Sequence, residues 1–178
     1  MFDIERFVED CKEATATDPT HRNVAEIVAR ALRDPAALAS ALGEPTEGAL
    51  IPLYQSSDLT IINVVFQPSM MIPPHNHEMW AVIGVYSGRE DNIFWRRIKD
   101  SADGLIEAAG AKALGTGDHA ILGKDIIHSV ANPIPKLTGA IHVYGGDFFE
   151  AERSEWDSEN LNERPIDIDL VRARFNSQ

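Results

Sequence analysis

Six histidines stand in the 178-residue chain: His21, His75, His77, His119, His128 and His142. Two of them are paired in Pro73-Pro-His-Asn-His77. On a β-strand, residues two apart point to the same face, so these two imidazoles converge without help from a loop. A third imidazole from another strand would complete a facial set for a divalent ion. His128, in Lys124-Asp-Ile-Ile-His128, is the candidate. His142 and Tyr144 form a second same-face pair on a later extended run. An isolated His-x-His is weak evidence of a metal site. His21 and His119 stand alone and are read as bystanders. Cys11 is the only cysteine, which excludes an intrachain disulfide and any cysteine-based zinc or iron–sulfur site.

The remaining chain must position these groups. One domain over residues 1–178 is expected, with helices in 1–45, a β-barrel over 50–150 and a polar tail at 151–178. Ile4, Phe7, Val8 and Cys11 recur at helical spacing. Asp18-Pro19 and Asp34-Pro35 each read as a helix start, an N-cap followed by Pro at the first helical position. From Leu50 the texture becomes β-branched. Strands are expected at 59–66, 79–86, 92–98, 120–122, 126–127 and 139–144, punctuated by Gly and Pro. A last short element is expected around 166–175. Many short strands with turn signals point to a sandwich or barrel. Asp plus Glu is 28 against 16 for Lys plus Arg, a net charge of −12. That excludes a nucleic-acid partner and electrostatic docking on a membrane. No apolar run approaches a membrane span, and the N-terminus carries acids rather than a basic leader. A cytoplasmic protein, monomer or homodimer, is the expectation.

The histidine context resembles the cupin family, which implies a mainly β double-stranded β-helix, a jelly-roll-like barrel, here with an N-terminal helical cap. The first cupin motif places Gly, His-x-His, Glu and Gly in order. Ser69, His75 and His77, Ala81 and Gly88 hold those positions. The second places Gly, Pro-x-Gly, His and Asn. Gly117, Gly123 and Asp125, His128 and Asn132 stand there. The resemblance implies His75, His77 and His128 as metal ligands. With Ala81 at the Glu position, the cage would be three neutral imidazoles. Glu78 does not replace the lost carboxylate, because strand alternation turns it from the histidine face. Such a site leaves the full metal charge uncompensated and favours a thiolate or a carboxylate-bearing substrate.

A three-His cage is similar to that of the thiol dioxygenases, both the cysteine and the bacterial mercaptopropionate types. The run His75 to Glu90 resembles their ligand strand, and Ile141-His-Val-Tyr-Gly-Gly146 their Ser-x-His-x-Tyr strand. The similarity covers roughly residues 50–156. It implies Fe(II), with zinc, nickel or manganese as possible occupants of a purified sample. It also implies O2 and a small thiol as substrates, and Tyr144 and His142 as catalytic groups. Arg153 corresponds to an Arg that follows the Tyr in the mercaptopropionate type. Three positions depart from the pattern. Ala140 replaces the relay Ser, the Cys of a Cys–Tyr cross-link would fall near Val82, and no basic residue lies in Ile51–Thr60. Tyr54 and Gln55 are the nearest polar candidates for substrate contact there, with Met79 on the histidine face. A mercapto-carboxylate is therefore expected over cysteine. The same cage also suits a dioxygenase of diketone-like compounds or a cupin that binds a ligand without catalysis.

Overall fold

Three helices open the chain: α1 (Ile4–Thr17), α2 (Arg22–Ala31) and α3 (Pro35–Leu42). The computed structural model describes residues 2–101 and 104–176. Asp3 caps α1, its carboxylate accepting from the Arg6 amide, and Asp34 caps α3 by accepting from Ala37. The helix start expected at Asp18-Pro19 is not used. Asp18 accepts from the amide and hydroxyl of Thr20, forming a local turn, and α2 begins three residues later than Pro19 at Arg22. Cys11 is buried in the helical layer, and burial pushes its thiol up to about 12.

The strands are β1 (Ala49–Gln55), β2 (Thr60–Phe66), β3 (Met71–Asn76), β4 (Ala81–Ser87), β5 (Arg89–Arg97), β6 (Ile106–Gly115), β7 (His119–Leu122), β8 (Ile127–Ala131), β9 (Thr138–Tyr144), β10 (Ser154–Trp156) and β11 (Glu163–Pro165). A fourth helix, α4 (Ile168–Asn176), follows. One sheet has the order β1-β2-β9-β4-β7 and the other β11-β10-β3-β8-β5-β6. The quartets β2-β9-β4-β7 and β3-β8-β5-β6 are all antiparallel and interleave in sequence, the double-sheet jelly roll of a double-stranded β-helix. The fold is thus mainly β with an N-terminal helical cap, as expected.

The first sheet is covered on both faces. Its inner face packs Ile62, Ile83 and Ala140 against Ile72 and Val130 of the second sheet. Its outer face packs Ile61, Val82, Ile141 and Val143 against Val24, Val28 and Leu32 of the helices. Double coverage explains why β2 and β9 are buried throughout and read as continuous apolar runs. Gly84 marks the closest approach, since a Cβ there would lie 2.8 Å from both Leu32 and Val28.

Five strands, β1, β3, β6, β10 and β11, lie outside the runs expected as strands. Pro52 interrupts the pattern of β1, which lies at a sheet edge where Pro is tolerated. The Ala- and Gly-rich β6 has low strand propensity and is held by a long antiparallel register with β5. The segment 151–178 contributes structure beyond a polar tail. β10 joins the second sheet through Glu155 opposite His75, and α4 buries Val171 and Phe175 against the barrel. Phe175 meets Phe66 at a ring separation of 5.5 Å. Among the described residues no helix is long and apolar enough to cross a membrane.

Candidate metal centre

Proline decides where the first histidine lands. Pro73 and Pro74 have no amide hydrogen to give the β3–β8 ladder, and the register shifts between Ile72 and His75. That shift sets His75 directly opposite His128. His77 follows one residue beyond β3, on the same face. The segment between them is anchored by Asn76, which accepts from the Ser154 amide of β10 at 2.8 Å and donates to Glu78 at 2.6 Å. Glu78 itself is exposed, with φ of 56°, and its carboxylate faces Asn76.

The three rings meet at centroid separations of 5.0, 4.6 and 4.9 Å, and one ligand nitrogen from each lies within 4.8 Å of the others. The Nε2 atoms of His77 and His128 are 3.4 Å apart. Two imidazoles sharing one ion at about 2.1 Å each take such a separation. Outer partners fix the tautomers. His75 Nδ1 donates to the Pro73 carbonyl at 2.9 Å, and His128 Nδ1 donates to Asn92 Oδ1 at 2.7 Å. Both rings therefore turn an unprotonated Nε2 inward, the form a metal requires. Burial lowers His75 to about 4, and burial with mutual repulsion holds His77 and His128 well below their ordinary value. The donor set fits a divalent ion.

These depressed values carry a pH signature. The unfolded imidazoles take up protons near 6.5, whereas the folded ones resist until much lower pH. Stability is full above 6.5 and is lost as the pH falls through 6.5 toward about 4, with His77 and His128 adding to the loss in the same direction. For His75 alone the loss is about 3 kcal/mol. Denaturant unfolding of the metal-free protein at stepped pH measures it, and a flat profile across this range would contradict the assignment.

The rest of the cavity is apolar except at a few points. It measures ≈40 Å³, room for about three waters, and α4 lines it through Val171, Arg174 and Phe175. Tyr144 reaches His142 Nδ1 with its hydroxyl at 2.9 Å, and its ring lies 5.0 Å from that of His77. Burial raises the Tyr144 hydroxyl above its ordinary value. Ala81, where a fourth ligand would stand, is paired with Tyr144 in the β4–β9 register and is fully buried. Arg153 also lines the cavity and is only 6% exposed. Its guanidinium stacks over Phe148 at 4.1 Å and donates Nη1 to the Phe148 carbonyl. Its Nε and Nη2 have no partner among the described residues, and burial lowers its pKa. Glu155, nearby, is satisfied. Burial would raise its carboxyl, but Arg174 and Arg164 together hold it below its usual range.

The structure therefore gathers His75, His77, His128, His142, Tyr144 and Arg153 around one cavity. It places Tyr54, Gln55 and Met79 elsewhere. Tyr54 lies under the Lys12 ammonium against the helices, Gln55 donates to Asp147, and Met79 packs in the core beside Gly146. Tyr54 and Gln55 are adjacent on edge strand β1, the first half-buried beside the helices and the second exposed, and neither lines the cavity. Glu90, which sequence reasoning missed, is fully buried and within 3.4 Å of His142. Two motif positions turn out to serve the backbone. Ser69, at the first Gly position, adopts φ of 59°, and Gly88 has φ of 87°. Asn132 ties the loop between β8 and β9 by donating to the carbonyls of Gln67 and Lys136.

No protein-family model matches the chain. Among solved structures, a double-stranded β-helix protein from Klebsiella pneumoniae aligns at 18% identity over 65% of this chain and 86% of its own, with a TM-score of 0.46. An RmlC-like cupin protein from Methanocaldococcus jannaschii aligns at 10% identity over 58% and 84%, at 0.47. A DMSP lyase from Ruegeria pomeroyi aligns at 18% over 59% of this chain and 50% of its own, at 0.45. The double-stranded β-helix assignment rests on the strand order itself.

Proposed function

We propose that this chain is a three-His, Fe(II)-dependent dioxygenase that adds both atoms of O2 to the sulfur of a small thiol bearing a carboxylate, giving the sulfinate. The observation that carries this reading is Arg153, a buried cation with two unpaired donors lining the same small cavity as the three imidazoles. A buried guanidinium with free N–H groups is complementary to a carboxylate, which it can take in a charge-assisted, bidentate contact. Fe(II), when bound, supplies O2 activation and a site for the thiolate.

The chain's own residues do the rest. Arg153 holds the carboxylate end and so sets which atom faces the imidazoles. Tyr144 hydrogen-bonds the reacting end, with its hydroxyl oriented by His142. Phe66, Phe148, Phe175 and Val171 exclude water. The small cavity favours a short substrate over a bulky diketone.

Oxygen consumption by iron-loaded protein tests the reading against a panel of mercapto-carboxylates, cysteine, amino-thiols without a carboxylate, and diketones. Mercapto-carboxylates are expected to be turned over fastest and amino-thiols at least about 100-fold more slowly in kcat/KM, the cost of leaving the guanidinium unpaired. Consumption with diketones and with no thiol would replace this reading by a carbon–carbon-cleaving one. No consumption with any compound would leave a ligand-binding protein.

A further inference from the structure

Glu90 is fully buried, yet neither the metal cage nor the carboxylate site uses it. On β5, Glu90 and Asn92 point inward while Arg89, Asp91 and Ile93 do not. Its two carboxyl oxygens are engaged separately. Oε1 accepts from Asn92 Nδ2 at 3.0 Å, and Oε2 lies 3.4 Å from His142 Nε2 on β9, in the opposite sheet. Asn92 in turn accepts from His128, and His142 contacts Tyr144. One unbroken chain of contacts thus runs Tyr144–His142–Glu90–Asn92–His128 across the barrel interior.

The direction of each proton in this chain follows from its ends. His128 must present an unprotonated Nε2 to a metal, so its Nδ1–H donates to Asn92 Oδ1. Asn92 is thereby oriented with its NH2 group toward Glu90. The Glu90 carboxylate accepts on both oxygens, so His142 carries its proton on Nε2 and is an acceptor at Nδ1. The Tyr144 hydroxyl then donates to Nδ1, and its oxygen lone pairs are left for the cavity. A buried acid is costly and persists where its contacts set a specific arrangement.

We propose that Glu90 is the positioning residue that locks this proton order, so that the Tyr144 oxygen faces the cavity as a hydrogen-bond acceptor. The part played by the Tyr144 oxygen rests on the proposed function, whereas the proton order rests only on His128 being a metal ligand.

The test is nitrogen NMR of the histidine side chains in the zinc(II)-loaded 178-residue chain, with His142 assigned by His142→Gln. Wild type is expected to show His142 protonated at Nε2 alone. In Glu90→Gln the side-chain carbonyl still accepts from Asn92, but its NH2 must face His142, so the proton is expected to move to Nδ1 with zinc stoichiometry unchanged. Wild-type His142 protonated at Nδ1 or at both nitrogens would overturn the proposal, and that measurement needs no variant to fold. A folded Glu90→Gln protein that keeps the Nε2–H form would overturn it too. Failure of thiol-dependent oxygen consumption with the expected tautomers in place would instead refute the proposed function alone.

Discussion

His128→Ala is expected to abolish stoichiometric metal binding, with zinc(II) or iron(II) affinity reduced by more than about 100-fold, because a facial set of three imidazoles becomes two. Elemental analysis after loading and desalting measures it. The variant also strands the buried Asn92 Oδ1, which loses the Nδ1–H of His128, at a cost of about 1–3 kcal/mol. Folding is therefore checked by thermal unfolding alongside metal content. His75→Ala provides a second test in which the lost outer contact is only to the Pro73 carbonyl. His142→Ala is the contrast: it lies outside the cluster and is expected to keep the metal. Metal retained in both His128→Ala and His75→Ala would refute the three-His centre.

Arg153→Met carries the second large effect, and its two readouts move in opposite senses. Loss of the guanidinium is expected to weaken a carboxylate ligand by about 2–3 kcal/mol, roughly 100-fold, while an uncharged analogue is unaffected. Stability is expected to stay within about 1 kcal/mol of wild type or to rise. The lost bond to the Phe148 carbonyl is offset by removal of a buried charge with two unpaired donors. Met preserves the apolar stacking over Phe148 in length and shape. Thermal unfolding and ligand titration on one preparation separate these effects. A variant destabilised by several kcal/mol with unchanged carboxylate affinity would show that Arg153 is a structural strut. Arg153→Lys is not a silent control, because a point charge cannot reproduce the fork.

Part of the candidate metal centre was legible in local spacing. Strand periodicity pairs His75 with His77, and the resemblance to two short cupin motifs added His128 as the third candidate ligand. Arg153 was reached only through resemblance, since a lone Arg in an acidic stretch has no local pattern to distinguish it from a solvated charge. Glu90 was missed for a related reason. Arg89-Glu-Asp-Asn92 reads as an exposed polar run, and only the inward alternation of Glu90 and Asn92 on β5 separates it from one. Tyr54 and Gln55 were chosen by proximity in sequence to a position where a basic residue was absent. The structure uses that stretch as an edge strand beneath the N-terminal helices.

By itself, then, the sequence determined the mainly β class of fold and the same-face pairs His75–His77 and His142–Tyr144, because each depends on strand periodicity, while His128 joined them through resemblance. Tertiary structure alone decided three things: that Arg153 is buried with donors to spare, that α4 lines the cavity, and that Glu90 meets His142. Each of these joins residues from separate elements, Glu90 and His142 across two facing sheets and 52 positions of chain. No local propensity or periodicity encodes such a meeting. It follows only when two sheets close over a common interior and exclude water from the groups between them.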